Sequence, residues 1–243
     1  MIGVASLALL AACARPEAPT GINDPNEAQN RDIHQFNVAV DRHVYRPVAM
    51  AYGNNVPKPV RSGLDNFASN LSLPSAIMNN VLQFRIGEAA RNTGRFVVNS
   101  TVGLVGFFDP ASQIGLTIAE ADFGETLYVW GFSEGPYVEM PFLGPSTSRD
   151  TAGFFVDFFT DPLGFVAFSQ EGRYVLAVSG AEPYVDYRYE NRDLIDSVLY
   201  DSADSYAQTR QIYLQNRRFE LGGEAQTDYF DPYEDPYADP YAQ

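Results

Sequence analysis

The 243-residue chain is expected to fold as an all-α protein. Apolar residues recur at three- and four-residue spacing in segment after segment, and prolines stand where first helical turns tolerate them. The longest polar-rich segment carries arginines in its last turns, where cations suit the helix dipole. With 45% hydrophobic and 19% charged residues the chain has ample material for a core, and wholesale disorder is ruled out.

Residues 1–12 read as an export signal. Ile2 to Ala12 is apolar apart from Gly3 and Ser6, about half the roughly 20 residues that a spanning helix needs, and it ends in small residues. Leu10-Ala11-Ala12-Cys13 resembles the bacterial lipobox, in which the cysteine is diacylated and becomes residue one. No Lys or Arg precedes the apolar run, so the expected basic leader, and the true start codon with it, would lie upstream of Met1. Ala14 follows the cysteine where inner-membrane lipoproteins often carry Asp, which favours an outer-membrane address. Residues 13–23, Pro- and Ala-containing and without periodicity, read as a lipidated tether.

The folded domain is expected over 24–221. Ile33, Phe36, Val40 and Val44 form a helical stripe that runs into Arg46-Pro47. Pro57 precedes a second stripe, Val60, Leu64, Phe67 and Leu71. Pro74 opens a further helix through Leu82, and Gly87 to Ser100 reads as another, with the small side Ala89, Thr93, Phe96 and Ser100 packed closely against something. Residues 102–118, with Gly103, Gly106, Phe107, Phe108, Asp109-Pro110 and Gly115, are too broken for a regular element and too apolar for a solvated loop. Residues 154–168 hold six phenylalanines (154, 155, 158, 159, 165 and 168) interrupted by Asp157 and Asp161-Pro162. That run is too short to span a bilayer and suits either a protein core or a helix at the lipid interface. Tyr184 to Arg218 reads as one long helix with a buried face, ended by Gly222-Gly223. The tail from 222 to 243 is acidic and low in complexity, repeats Asp-Pro-Tyr, and is expected to be disordered.

Composition excludes several chemistries. A net charge of -15 repels a phosphate backbone, so nucleic acid is not an expected partner. One cysteine leaves no internal disulfide and no cysteine-clustered metal site. Gly131-Phe132-Ser133-Glu134-Gly135 matches the G-x-S-x-G elbow of hydrolases, but both histidines, His34 and His43, precede the serine, against the chain order that fold requires. A turn is the better reading. The histidine spacing gives no metal pair, and Lys58, the only lysine, lies between two prolines and outside any phosphate loop. No catalytic residue, metal or cofactor is expected.

The motifs assemble into a resemblance. Asp24-Pro25-Asn26-Glu27, Asn30-Arg31, Phe36-Asn37, Arg46-Pro47-Val48-Ala49, Val56-Pro57-Lys58-Pro59-Val60-Arg61, Asn79-Asn80, Gly94-Arg95-Phe96, Asn99-Ser100-Thr101-Val102-Gly103, Asp122-Phe123-Gly124-Glu125-Thr126-Leu127 and Gly144-Pro145-Ser146 together resemble the MlaA/VacJ lipoproteins, over about Asp24 to Arg218. Phe84 stands where that family usually has glycine. The resemblance implies a ring-like assembly of amphipathic helices, seated in the periplasmic leaflet of a Gram-negative outer membrane and enclosing an amphipathic channel. Stray outer-leaflet phospholipid would pass through it to a periplasmic lipid-carrier protein, with the ring held against a trimeric porin. Candidate channel or gate residues are Phe36, Asn37, Phe107 and Phe108, candidate membrane-interface residues are Phe154, Phe155, Phe158 and Phe159, and Cys13 is the lipid attachment site. A structural outer-membrane lipoprotein without lipid passage is the alternative.

Overall fold

The computed structural model describes residues 21–163 and 170–222. Helix α1 (Glu27–Val40) runs through a π-helical turn (Asp41–Tyr45) into α2 (Arg46–Asn55). There follow α3 (Lys58–Leu82), α4 (Ile86–Thr101), the single turn α5 (Pro110–Gln113) and α6 (Phe123–Val129). A short antiparallel hairpin, β1 (Tyr137–Met140) with β2 (Gly144–Thr147), leads to α7 (Ser148–Thr160). The chain ends in α8 (Gln170–Glu190), α9 (Arg192–Asp196), a second π-helical segment (Ser197–Asp201) and α10 (Ser205–Glu220). Among the described residues no helix is long and apolar enough to cross a membrane.

Local chemistry explains the boundaries. Side chains of Asp109, Asp122, Thr147 and Asp204 accept the free backbone N–H groups that open α5, α6, α7 and α10. Pro74 does not start a helix as expected but lies inside α3; it removes one ladder bond, at a local cost of about 3 kcal/mol that packing of α3 along α4, α6 and α8 offsets. The expected single helix over 184–218 is also broken. Ser202 is extended and Asp204 caps a new helix, because short polar side chains favour caps over helix interiors. The hairpin was not foreseen. Its tip places Phe142 at φ 67°, and Phe84 stands at φ 60°, a left-handed backbone that strains a residue with a Cβ and would leave glycine unstrained.

Contacts between elements close on themselves. The α1 helix packs on β1, the hairpin on α7, α7 on α6, α6 on α3, α3 on α8, and α8 on α2, which continues α1. Very little of this circuit is a conventional core. Among the described residues the buried apolar cluster is Tyr137, Tyr206 and Leu214, with Tyr213 against it. Apart from Leu73, the other large side chains that are fully buried are polar, among them Asn79, Asn80, Asn92 and Glu139.

Periodicity located the helices but not their faces. On α1 and its π-helical turn the stripe of Phe36 and Val44 points outward, while Asn30 and His34 are buried. On α4 the buried side is Ala89, Asn92, Arg95 and Asn99, and Thr93, expected inside, is exposed. Backbones also approach closely between α6 and α7, where a Cβ on Gly153 would overlap the backbone of Gly124. Replacing Gly153 by Ala is expected to cost about 2–3 kcal/mol. Gly87→Ala on the open face of α4, where nothing lies within 4 Å, should gain up to about 1 kcal/mol. Thermal unfolding of both variants in detergent checks this.

Candidate functional site

Asn30, His34, Asn37 and Asp41 recur at four, three and four residues and so share one side of α1 and its π turn. That side clasps the open edge of β1. Asn30 donates from Nδ2 to the Tyr137 carbonyl (3.3 Å) and accepts the Glu139 N–H at Oδ1 (3.1 Å). Two turns on, Asn37 donates to the Met140 carbonyl (3.0 Å) and accepts the Phe142 N–H (2.8 Å). Each amide thus replaces a peptide group of an absent neighbouring strand.

Between the two clasps lies Glu139, 1% exposed. Its Oε1 meets His34 Nδ1 (3.2 Å) and Asn37 Nδ2 (3.3 Å), and its Oε2 accepts from the Tyr137 hydroxyl. The other ring nitrogen of His34 meets Ser205 Oγ at 3.0 Å, which ties α10 to the same cluster. Burial and the neighbouring Glu139 carboxylate push the Tyr137 hydroxyl far up, so it stays a donor. Beneath Asn30, burial alone would raise Asp24, but hydrogen bonds from Tyr206, Arg210 and Asn30 hold it below the usual carboxylate range.

At the hairpin tip Phe142 is 69% exposed, with its ring edge-to-face on Phe36 at 5.0 Å. The sequence-predicted pair Phe36 and Asn37 therefore meets at one place, the tip of the hairpin. Phe107 and Phe108 sit elsewhere, in the turns after α4. The ring of Phe107 covers Gly63 of α3, and Phe108 is exposed beside it. Cys13 and the tail beyond Gly222 lie outside the described residues, as do Phe165 and Phe168.

Two cavities lie on either side of Tyr184, and the first of them adjoins the hairpin. One, of about 220 Å³, lies behind it, with apolar walls from Val38, Phe142 and Leu199 and polar groups from Asp41, Tyr45 and Thr209. The other, of about 380 Å³, is lined by Asp122, Asp150, Asp157, Arg217, Glu220 and Phe154. Tyr184 of α8 borders both, so an apolar chamber and a charged one adjoin. In the charged chamber Arg217 bonds Asp122 (2.7 Å) and Asp150 (3.1 Å). Burial works to raise Asp150, but the Arg217 and Arg149 charges hold it low; Asp157 is pushed up by burial and the Asp122 charge despite bonds from Phe123 N–H and Asn79. Phe107 and Phe108 line neither cavity.

Of the interface candidates, Phe154 borders the charged chamber while Phe155, Phe158 and Phe159 stand exposed on α7, with Asp157 turned inward to Asn79. Ser133 lies in an irregular turn between Gly131 and Gly135, both of left-handed backbone. The polar stripe on α1 was missed, although its spacing matches that of the apolar stripe and could have flagged it. Asn37→Ala removes the acceptor for the Phe142 N–H and the donor to Met140, a loss of about 1–3 kcal/mol in holding the tip. Amide hydrogen exchange at Phe142 is expected to speed up about 10- to 100-fold, while that at Glu139, held by Asn30, changes little.

The comparisons with known proteins agree with this architecture. The model of the MlaA lipoprotein family matches residues 22–220. The chain is 34% identical over 223 residues to the intermembrane phospholipid transport system lipoprotein MlaA of Escherichia coli (strain K12), covering 88% of this chain and 85% of that protein. It is 34% identical over 204 residues to the protein of the same name from Haemophilus influenzae, covering 82% and 79%. A solved structure reported as "Structural basis for maintenance of bacterial outer membrane lipid asymmetry" is similar at a TM-score of 0.70 and 32% identity, over 82% of this chain and 98% of that one. This chain belongs to the MlaA lipoprotein family.

Proposed function

We propose that this lipoprotein takes mislocalised phospholipid from the outer leaflet of the outer membrane, passes it through the inside of its ring of helices, and hands it to a periplasmic carrier, so maintaining lipid asymmetry. The observation that carries this reading is the pair of adjoining cavities, one apolar and one charged, lined by elements of a closed circuit that exposes many large apolar side chains. Drawing an acyl chain of about 16 carbons through water costs about 13 kcal/mol at about 0.8 kcal/mol per methylene. A passage therefore needs an apolar wall for the chains and a polar one for the head group. The names of the relatives support phospholipid as the cargo, and nothing in this reading calls for catalysis.

Diacylated Cys13 would tether the ring, since two acyl chains hold a protein stably where one does so marginally. Outward Phe84, Phe108, Phe142, Phe155, Phe158 and Phe159 would seat it in the periplasmic leaflet. The hairpin, held by Asn30 and Asn37, would be the gate. The outer face of α4 carries Ile86, Ala90, Thr93 and Val97 with Gly87 and Gly94 between them, all but Gly94 exposed and none charged. Such a smooth, small-residue face suits a close approach to the wall of a porin within the membrane.

Full-length protein extracted in detergent is expected to carry bound phospholipid, detectable by mass spectrometry of the organic extract. Lipid-free protein with its fold intact would favour a structural lipoprotein. Deleting Asn37 turns the following residues of α1 by about 100 degrees and breaks the clasp; phospholipid at the cell surface should then rise, and unchanged surface lipid with a folded variant takes this helix out of the gate. Ala90→Glu is expected to abolish co-purification of a porin without loss of helicity by circular dichroism.

A further inference from the structure

Helix α8 closes the circuit by lying against both α2 and α3, and one of its carboxyl groups has no role in the passage described above. Glu182 is 8% exposed. Its Oε1 accepts from the Tyr52 hydroxyl of α2 at 2.5 Å, and its Oε2 is buried with no hydrogen-bond partner among the described residues. The charged groups that face it are Arg61 and Asp65 of α3 and, one turn along α8, Asp186. Arg61 is committed to Asp186 and to Glu190, the latter at 2.7 Å. An ionised Glu182 would thus bury a bare anionic oxygen beside two other carboxylates, whereas a protonated one leaves only an unused hydroxyl.

We propose that Glu182 is a proton-binding site, and that the proton it holds fastens α8 between α2 and α3. Burial, Asp65 and Asp186 all raise the Glu182 carboxyl, more than the Tyr52 bond and the Arg61 charge lower it. Burial and the Glu182 and Asp186 carboxylates keep Tyr52 protonated as the donor. Burial and the charge of the Asp186 carboxylate raise Asp65 as well. A carboxyl raised by folding contributes stability that is complete below its unfolded value and is lost as pH climbs through its folded value. The ring should therefore loosen at α8 from mildly acidic toward alkaline pH. Asp24, Asp109, Asp150 and Asp196 shift the other way and lose their contribution on acidification; they are common to wild type and variant and cancel in the comparison.

The test measures thermal unfolding of the full-length protein in detergent from pH 5 to pH 8.5, with hydrogen exchange along α8, and needs no lipid transfer. Glu182→Gln is expected to match the wild type at pH 5 and to exceed it by about 3–5 °C at pH 8.5, and α8 should exchange more slowly than in the wild type only at the higher pH. Tyr52→Phe, which removes the one donor to the carboxylate, should steepen the wild-type loss of stability with pH. A Glu182→Gln difference constant across the range, or a Tyr52→Phe profile parallel to the wild type, overturns the proposal. The lipid-passage reading would stand in either case.

Discussion

An asparagine side chain carries the same donor and acceptor pair as a peptide group, and this fold depends on that equivalence. Asn30 and Asn37 complete the free edge of β1. Asn92 does the same for the chain at Ala119, donating to its carbonyl (2.7 Å) and accepting its N–H (3.0 Å). Asn99 bridges the Asp109 carboxylate and the Ala111 N–H, and so with Arg95 pins the irregular stretch after α4. Non-helical backbone is thereby satisfied from within, by helices that turn their amides inward.

The inverted surface follows. Once the helices spend their polar sides on one another, their valines and phenylalanines face out, and the buried apolar cluster shrinks to a few residues around Tyr137 and Leu214. In water such a molecule would forgo most of the usual gain from apolar burial. In lipid that gain is absent between helices, and internal hydrogen bonds and close packing decide the fold. Bulky residues in left-handed backbone fit the same picture. Phe84, Leu104, Val105 and Phe142 all have positive φ and all are exposed, and each costs about 1–2 kcal/mol in strain at turn tips where glycine would be free of it. Apolar side chains held there despite the strain are what a lipid-facing turn would need.

The helices were legible in the sequence because spacing reports secondary structure whichever way the stripe points. Which way it points was not, since a hydrophobic stripe looks the same facing a core or facing lipid; hence the outward Phe36 and Val44 and the inward Asn92 and Arg95. The hairpin escaped notice because its strands are four residues each and Glu139 occupies an inward position that an apolar residue normally holds. Tertiary packing overrode Pro74 as a helix start, and the two aspartates around Ser202 broke a helix that its apolar spacing alone would continue. Of the site candidates, Phe36 and Asn37 meet at the hairpin, while Phe107 supports α3 through Gly63. Their partners Asn30, His34 and Glu139 were hidden as ordinary polar residues.

The central claim is that the outward apolar side chains of this ring lie in lipid and not in water. Trp130 is the only tryptophan, so Trp130→Phe gives a silent background in which a single tryptophan can be placed at Phe84, Phe142 or Phe158 and its fluorescence followed in reconstituted vesicles. The account predicts strong quenching by lipids brominated along the acyl chain and little by aqueous iodide. Efficient iodide quenching at all of these positions, with no response to brominated chains, would contradict it.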